Sequence, residues 1–275
     1  MARPIAFGIA LVLSRTARDK DVVNLAAPFR YALDFALPPR CPGCGAIVAG
    51  EGSFCSGCWS RLDFLAGPAC AACGLPFEND PGVEARCAPC LAEPPHHDGV
   101  RATVAYGEIA RTLALKLKHG RRIGMARIIG AHLARTAALE PGALLVPIPL
   151  HRWRIWRRGF NQSALIAMEV ARRTGLEVRT DLLERKKATP MLGGLGRAAR
   201  ARTLRGAFAI PSEKREALKG RRVLLVDDVY TSGATANGCA RVLKRAGAAR
   251  VTVLCWARVL QDHVDEAGAL GDVLD

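Results

Sequence analysis

The chain has 275 residues, of which 50% are hydrophobic, and it carries a formal net charge of +15. This length allows one α/β domain and a small additional module, and the hydrophobic fraction builds a proper core, which excludes a fully disordered chain. Residues 101–222 hold 27 Lys/Arg against 8 Asp/Glu and so carry the whole positive excess. Such a field attracts polyanions, either a pyrophosphate-bearing substrate or a nucleic acid, although a basic surface can also serve solubility alone.

The N-terminal segment predicts no membrane span. Its apolar run at residues 5–13 is too short to cross a bilayer. A faint likeness to a signal peptide conflicts with the pairs of reduced thiolates that follow. We expect residues 1–37 to be a leader or a helix, with an amphipathic helix at residues 24–37 that ends at Pro38-Pro39.

Ten cysteines occur, and eight of them form C-x-x-C pairs: Cys41/Cys44, Cys55/Cys58, Cys70/Cys73 and Cys87/Cys90. Two such turns complete a tetrahedral Cys₄ zinc site, which requires reduced thiolates and therefore predicts a cytoplasmic protein. Alternating pairs would give a cross-braced module. Neighbouring pairs, favoured by the similar spacing within each half, would give two zinc ribbons over residues 38–95 with structural Zn²⁺. Cys239 and Cys255 are expected to be small buried apolar residues.

A strand followed by a basic segment is predicted in the middle of the chain. Residues 143–149 are typical of a strand that ends in a rigid loop, and residues 163–173 are typical of a helix. The loop between them contains His151, Arg152, Arg154, Arg157 and Arg158, which together could hold a pyrophosphate. Two tryptophans in the same loop, at 153 and 156, could stack nucleobases or simply pack.

A flexible hairpin is predicted next. Residues 176–183 and 207–210 have the pattern of strands, and the segment between them is basic and rich in glycine. This segment, which includes Arg185 and Lys186, could close over a substrate and bring cations to a leaving pyrophosphate. The alternative is a mobile surface hairpin without a ligand.

The most informative stretch is residues 223–235. Four apolar residues predict a buried parallel strand, Asp227 and Asp228 follow, and Thr231-Ser232-Gly233-Ala234-Thr235 precedes a predicted helix at 236–246. The loop offers backbone N–H groups and hydroxyls to an anion, while two adjacent acids suit the hydroxyls of a ribose. A P-loop NTPase would need G-x-x-x-x-G-K-[ST], which is absent. The pattern therefore predicts a site for a phosphorylated sugar.

This loop resembles the motif for phosphoribosyl pyrophosphate (PRPP) in type I phosphoribosyltransferases, and residues 37–256 resemble the ComF family, which is linked to natural competence. The resemblance rests on the cysteine module, LKLKHG at 115–120, VPIPLH at 146–151, RGFNQ at 158–162, Arg185 with Thr189, and the Asp227-Asp228 loop. It implies an α/β fold of the type I phosphoribosyltransferase kind over residues 96–260, with a mainly parallel sheet, helices on both faces and a C-terminal tail at 261–275.

The resemblance also implies roles for single residues. Asp227 and Asp228 would hold the ribose hydroxyls, and Thr231 to Thr235 the 5′-phosphate. Mg²⁺ with His151, Arg152 and Arg158 would neutralise a leaving pyrophosphate, and Arg185 or Lys186 would arrive with the hairpin. The chain has Met191 and Thr203 where the family usually has Gln and Asn.

Two functions are consistent with these patterns. In the first, the protein is an enzyme that transfers a phosphoribosyl group from PRPP to an amine or base, in a cytoplasmic pathway of DNA uptake. In the second, it is a non-catalytic adaptor that binds single-stranded DNA through the basic 101–222 segment and the zinc module. Proteins of the competence machinery would be further partners in either case.

Overall fold

A computed structural model describes residues 38–119, 122–188, 199 and 202–260. All of these except Pro38 belong to one compact unit. The predicted N-terminal helix at 24–37 and most of the predicted hairpin, including Thr189 and Met191, lie outside the described residues.

The centre of the unit is a four-stranded parallel sheet. Within the described residues the strands are β1 (Gly99–Ala105), β2 (Leu144–Pro147), β3 (Glu184–Arg185), β4 (Phe208–Ala209), β5 (Arg222–Tyr230) and β6 (Arg250–Arg258). The sheet has the order β1-β6-β5-β2, whereas β3 and β4 form a separate antiparallel pair. Its two inner strands are almost entirely buried, as expected for parallel strands covered on both faces. The predicted mainly parallel sheet is thus confirmed.

Helices cover both faces of this sheet. The α-helices in this part of the chain are α1 (Ser56–Trp59), α2 (Ala88–Ala92), α3 (Glu108–Lys118), α4 (Gly124–Ala137), α5 (Arg152–Arg158), α6 (Gln162–Thr174) and α7 (Ala234–Arg245). Apolar side chains of α3, α4 and α6 share one core with Leu224 and Trp256 of the sheet. Those of α7 share the other core with Leu225 and Val253. None of the helices in the described ranges has the length and hydrophobicity to cross a membrane.

Two predictions of local structure are wrong. The strand predicted at residues 176–183 is reduced to a single bridge between Val178 and Leu145, because this segment passes the edge of the sheet and buries Leu182 and Leu183 in the core instead. The basic segment predicted as a loop contains the helix α5. It begins at a capping residue, His151, and ends at Gly159 with φ 87°, a conformation that favours glycine.

The cysteine module packs against the α/β domain through aromatic side chains. Phe54, Trp59 and Phe64 surround His132 of α4 at centroid distances of 6.1–6.3 Å, and the His132 ring lies 5.4 Å from that of Trp256. Burial, and next the charge of Arg135, lower the pKa of His132, so this ring is held neutral in the packed interface.

Candidate functional site

The eight paired cysteines form two groups of four. Cys41, Cys44, Cys55 and Cys58 make one group and Cys70, Cys73, Cys87 and Cys90 the other, with all sulfurs of a group within 4.8 Å of one another. The Sγ atoms of Cys44 and Cys55 are 3.6 Å apart, and those of Cys73 and Cys87 are also 3.6 Å apart. Tetrahedral zinc with bonds of about 2.3 Å requires sulfur separations of about 3.8 Å. The groups therefore fit Zn²⁺, and neighbouring pairs share each site as in two ribbons. We call them the first and the second ribbon.

In each ribbon, backbone N–H groups stabilise the thiolate form of the first cysteine. Burial alone would raise the pKa of Cys41, but backbone N–H groups, that of Cys55 foremost, outweigh it and lower the pKa to about 6. Cys70 has the same arrangement with the Cys87 amide, and its pKa is also lowered to about 6. Zinc binds thiolates, so these N–H groups support a metal-bound sulfur at Cys41 and Cys70, whereas burial raises the pKa of Cys58, Cys73 and Cys90 in the absence of a metal charge. With four thiolates per ion no position is left for a substrate, so the zinc is structural.

Asp227 and Asp228 lie near the carboxyl end of β5, which continues through both acids to Tyr230. The Asp228 carboxylate pairs with the Lys118 ammonium at 2.9 Å, and both side chains are almost fully buried, at 3% and 4% exposure. Lys118 is the last residue of α3, so this ion pair ties the end of that helix to the acidic pair.

Asp227 remains partly accessible at the same edge of the sheet. Its Oδ1 accepts a hydrogen bond of 3.0 Å from the Ser163 hydroxyl and one of 3.0 Å from the Asp228 amide. Burial within the protein, and next the charge of Asp228, raise the pKa of Asp227 to about 8, although Lys118 opposes the rise. A second negative charge is therefore disfavoured here until a cation or a hydrogen-bond donor compensates for it.

The segment Thr231–Thr235 leads from β5 into the first turn of α7, and we call it the phosphate loop after the role predicted for it from the sequence. Its glycine, Gly233, has φ 73° and is the residue before the first turn of α7. A Cβ at this position would lie 2.2 Å from the Tyr230 hydroxyl oxygen, so both the backbone and the close contact require glycine. The first N–H groups of α7 have no acceptors within the helix, which is the arrangement that suits an anion.

The loop after β2 lies beside the acids. Ile148 donates its amide to the Val226 carbonyl, so this loop continues along the strand that carries Asp227. Asn161 accepts from the Ser163 and Ala164 amides and donates to the Ile148 carbonyl, which joins the start of α6 to the loop. The predicted RGFNQ motif thus fixes the position of the serine that contacts Asp227.

The predicted pyrophosphate ligands have different surroundings. His151 is buried, and its Nδ1 accepts from the Trp153 amide at 3.4 Å as the N-cap of α5. Arg158 donates to Gln162 at 2.7 Å, and Arg152 is exposed with its guanidinium carbon 6.0 Å from the Trp153 ring. His151 thus caps α5 through Nδ1, and its role as a pyrophosphate ligand, like that of Arg152 and Arg158, stays a prediction.

Arg185 and Lys186 lie at the base of the predicted hairpin. The Arg185 guanidinium carbon is 5.7 Å from the Phe208 ring, and Lys186 pairs with Glu184. Burial raises the pKa of Cys239 well above its ordinary value. The charge of Asp227 raises this pKa further, whereas the charge of Arg185 lowers it. Arg185 and Asp227 therefore both lie within electrostatic range of this buried thiol. Cys239 is fully buried, as predicted, and so is Cys255.

Comparisons with known proteins agree with both parts of this structure. A model of the double zinc ribbon domain matches residues 32–91, and a model of the phosphoribosyl transferase domain matches residues 161–268. DNA utilization protein YhgH of Escherichia coli (strain K12) is 32% identical over 232 residues, which cover 82% of this chain and 99% of that protein. Competence protein F of Haemophilus influenzae is 29% identical over 80% of this chain and 96% of that protein. Competence protein ComFC of Bacillus subtilis is 28% identical over 71% and 79%, respectively.

The chain belongs to the ComF family. The family resemblance and the fold class predicted from the sequence are thereby confirmed, with a double zinc ribbon followed by a domain of the phosphoribosyltransferase fold.

Three side chains of this ComF-family protein make contacts that the sequence did not predict. Lys116 and Lys118 lie in the LKLKHG motif and Ser163 directly follows the RGFNQ motif, but neither motif indicates which residues these side chains contact. Lys116 donates to the Pro42 and Gly43 carbonyls in the first ribbon at 2.7 and 2.8 Å, whereas Lys118 pairs with Asp228. Residues two apart on a helix point about 200° apart, so the spacing itself indicates two different partners.

Proposed function

We propose that the protein binds PRPP or a related phosphosugar, together with Mg²⁺, at the carboxyl end of β5. The observation that carries this proposal is the combination of a partly accessible acid, Asp227, with a glycine turn that opens a twelve-residue helix within the next few residues. An acid suits ribose hydroxyls and a helix start suits a phosphate, so one short segment accommodates both ends of a ribose 5-phosphate.

The burial of the side chains divides the roles of the acids. Asp227 is the acid that a ribose hydroxyl reaches, and its carboxylate also accepts a hydrogen bond from the Ser163 hydroxyl. Asp228 is paired with Lys118, and this pair fixes the end of β5. The hydroxyls and amides of Thr231–Thr235 surround the 5′-phosphate.

In the proposed reaction an amine or base attacks C1′ of the ribose, the bond from C1′ to the pyrophosphate oxygen breaks, and pyrophosphate leaves with the bonding electrons. Positive charge develops on the ribose and negative charge on the leaving group, so stabilisation is electrostatic. Arg152 and Arg158, with Arg185 or Lys186 from the hairpin, supply cations on the protein side. Mg²⁺, which prefers carboxylate and phosphate oxygens, would neutralise the pyrophosphate, and Asp227 is the available carboxylate.

Calorimetric titration of the zinc-loaded protein with PRPP and Mg²⁺ tests the proposal. We expect binding that Asp227→Ala weakens by at least about tenfold, the loss of one charged hydrogen bond. Asp63→Asn serves as the control because this acid is exposed in the cysteine module. Binding by the wild type justifies a screen of amines and bases for release of pyrophosphate. Lack of binding, or equal binding by Asp227→Ala, would refute the site.

A second candidate function is supported by the surface of α5. Trp153 and Trp156 are 59% and 79% exposed, and no residue of this arginine-rich helix is buried. Exposed aromatic rings among arginines suit single-stranded DNA, whose bases stack while its phosphates pair with guanidinium groups. The names of the relatives, which refer to DNA utilization and competence, agree with this ligand. We therefore also propose binding of single-stranded DNA, in a competence pathway with partners from its machinery.

Fluorescence anisotropy with a labelled oligothymidine at several salt concentrations tests this second function. Affinity should fall steeply with salt, and Trp156→Ala with Arg157→Ala should weaken it at every concentration. Trp59→Ala is the matched control, since Trp59 is also half exposed but lies in the cysteine module against Phe64. Binding that does not depend on salt, or that the α5 variant leaves unchanged, would contradict the assignment.

A further inference from the structure

The second ribbon is connected to the last residue of the central sheet. Arg258 ends β6 and is only 7% exposed. Its Nη1 donates to the Cys73 carbonyl at 2.5 Å, and its Nη2 lies 3.4 Å from the Cys73 sulfur. One guanidinium thus holds both the backbone and the zinc-binding atom of the same cysteine, a geometry that lysine cannot reproduce.

Arg258 also contacts the end of β5. It is the register partner of Tyr230, and its guanidinium carbon lies 5.2 Å from the centroid of the Tyr230 ring. The Tyr230 hydroxyl is 3.1 Å from Nε2 of His97, so the ring is fixed at its far end as well. Tyr230 is therefore held between the second ribbon and the residues that precede β1.

The fixed tyrosine lies directly against the phosphate loop. Its hydroxyl oxygen and Cζ would be 2.2 and 2.6 Å from a Cβ at Gly233, so nothing larger than a hydrogen separates the ring from this glycine. Because Gly233 precedes the first turn of α7, the ring packs directly against the turn that presents the first amides of this helix. The contacts run without a gap from Cys73 through Arg258 and Tyr230 to Gly233.

We propose that the second zinc ribbon positions the phosphate loop through Arg258 and Tyr230, so that Arg258 is a positioning residue for the sugar phosphate. The proposal rests on the proposed function in that the phosphate loop is taken as the 5′-phosphate site. It adds that a zinc ribbon, beyond stabilising its own fold, is part of the architecture of that site.

Amide hydrogen exchange of the zinc-loaded protein tests the positioning without any ligand. Arg258→Lys and Tyr230→Phe should each speed exchange of the residue 231–236 amides by about tenfold, as expected for loss of a buried hydrogen bond, and leave α6 unchanged. Tyr230→Phe lies outside the ribbon and should retain two zinc ions per chain. Arg61→Lys is the matched control, because Arg61 also approaches a zinc-ribbon sulfur, that of Cys58 at 3.7 Å. Wild-type exchange in the loop of both test variants would overturn the proposal.

Titrations with ribose 5-phosphate and with inorganic pyrophosphate separate this inference from the proposed function. Arg258→Lys should weaken ribose 5-phosphate by about tenfold and leave pyrophosphate unchanged, since only the former uses the phosphate loop. Equal weakening of both ligands would show a general structural role and refute the positioning. If the wild type binds neither ligand, the proposed function fails, while the exchange experiment still decides whether the ribbon positions the loop.

Discussion

The buried pair of Lys118 and Asp228 yields the sharpest prediction. Lys118→Met keeps the length of the side chain and removes its charge, which leaves a carboxylate at 3% exposure without the cation at 2.9 Å. Breaking such a pair costs about 3–5 kcal/mol in the free energy of unfolding. The cost has a ceiling, because the acid can take up a proton instead. For an aspartic acid of ordinary pKa, about 3.9, protonation at pH 7 costs about 4 kcal/mol, and each lower pH unit reduces this by about 1.4 kcal/mol.

The expected signature is therefore a destabilisation that depends on pH. Relative to the wild type, Lys118→Met should lose about 4 kcal/mol at pH 7 and about 1.4 kcal/mol less at pH 6. The sign follows because an acid that must be neutral in the folded state favours folding at low pH. Adding Asp228→Asn should restore most of the loss, since no buried charge remains.

Urea denaturation of zinc-loaded protein at pH 6, 6.5 and 7 measures these differences. Lys116→Met is the control, because its ammonium binds the Pro42 and Gly43 carbonyls and no acid. It should cost about 1.5–3 kcal/mol at every pH and gain nothing from Asp228→Asn. A loss in Lys118→Met that is the same at pH 6 and 7, or that Asp228→Asn fails to rescue, would refute the reasoning.

Three further predictions concern the ligand site, the turn and the metal. PRPP affinity should rise by up to about tenfold per pH unit as the pH approaches 8, where Asp227 ionises, and titrations of Asp227→Asn should show no such rise. Gly233→Ala should lower the melting temperature more than Gly175→Ala, because both glycines have positive φ (73° and 71°) but only a Cβ at residue 233 would meet a tyrosine hydroxyl. Equal shifts in melting temperature would contradict this. Metal analysis should find two zinc ions per chain in the wild type and in Cys239→Ser, but about one in Cys44→Ser. Two zinc ions in Cys44→Ser would disprove the assignment of Cys44 to the first ribbon.

Much of the site follows from local sequence. The C-x-x-C turns bring two thiolates together within four residues, so their spacing predicts the four thiolate pairs, whereas the structure shows that neighbouring pairs form each group. The strand, acids and glycine turn of residues 223–235 are likewise contiguous, and the structure places β5, the phosphate loop and α7 in that order. Local patterns were less reliable where charge obscured them: residues 152–158 read as a basic loop but form α5, because arginine and tryptophan are compatible with a helix when one face remains exposed.

The tertiary structure decided which side chains meet across the sheet. Lys118 and Asp228 are 110 residues apart, and Arg258 and Cys73 are 185 residues apart. Such partners become neighbours only once the strand order β1-β6-β5-β2 has been set, and strand order depends on burial over the whole chain. Each charged side chain could pair with many residues of opposite charge in the sequence. Only the packed core decides which of these residues is buried beside it, away from water. The sequence alone therefore determined the four thiolate pairs and the order of strand, acids and glycine turn, whereas the packing determined which pairs form a group and how these parts are held together.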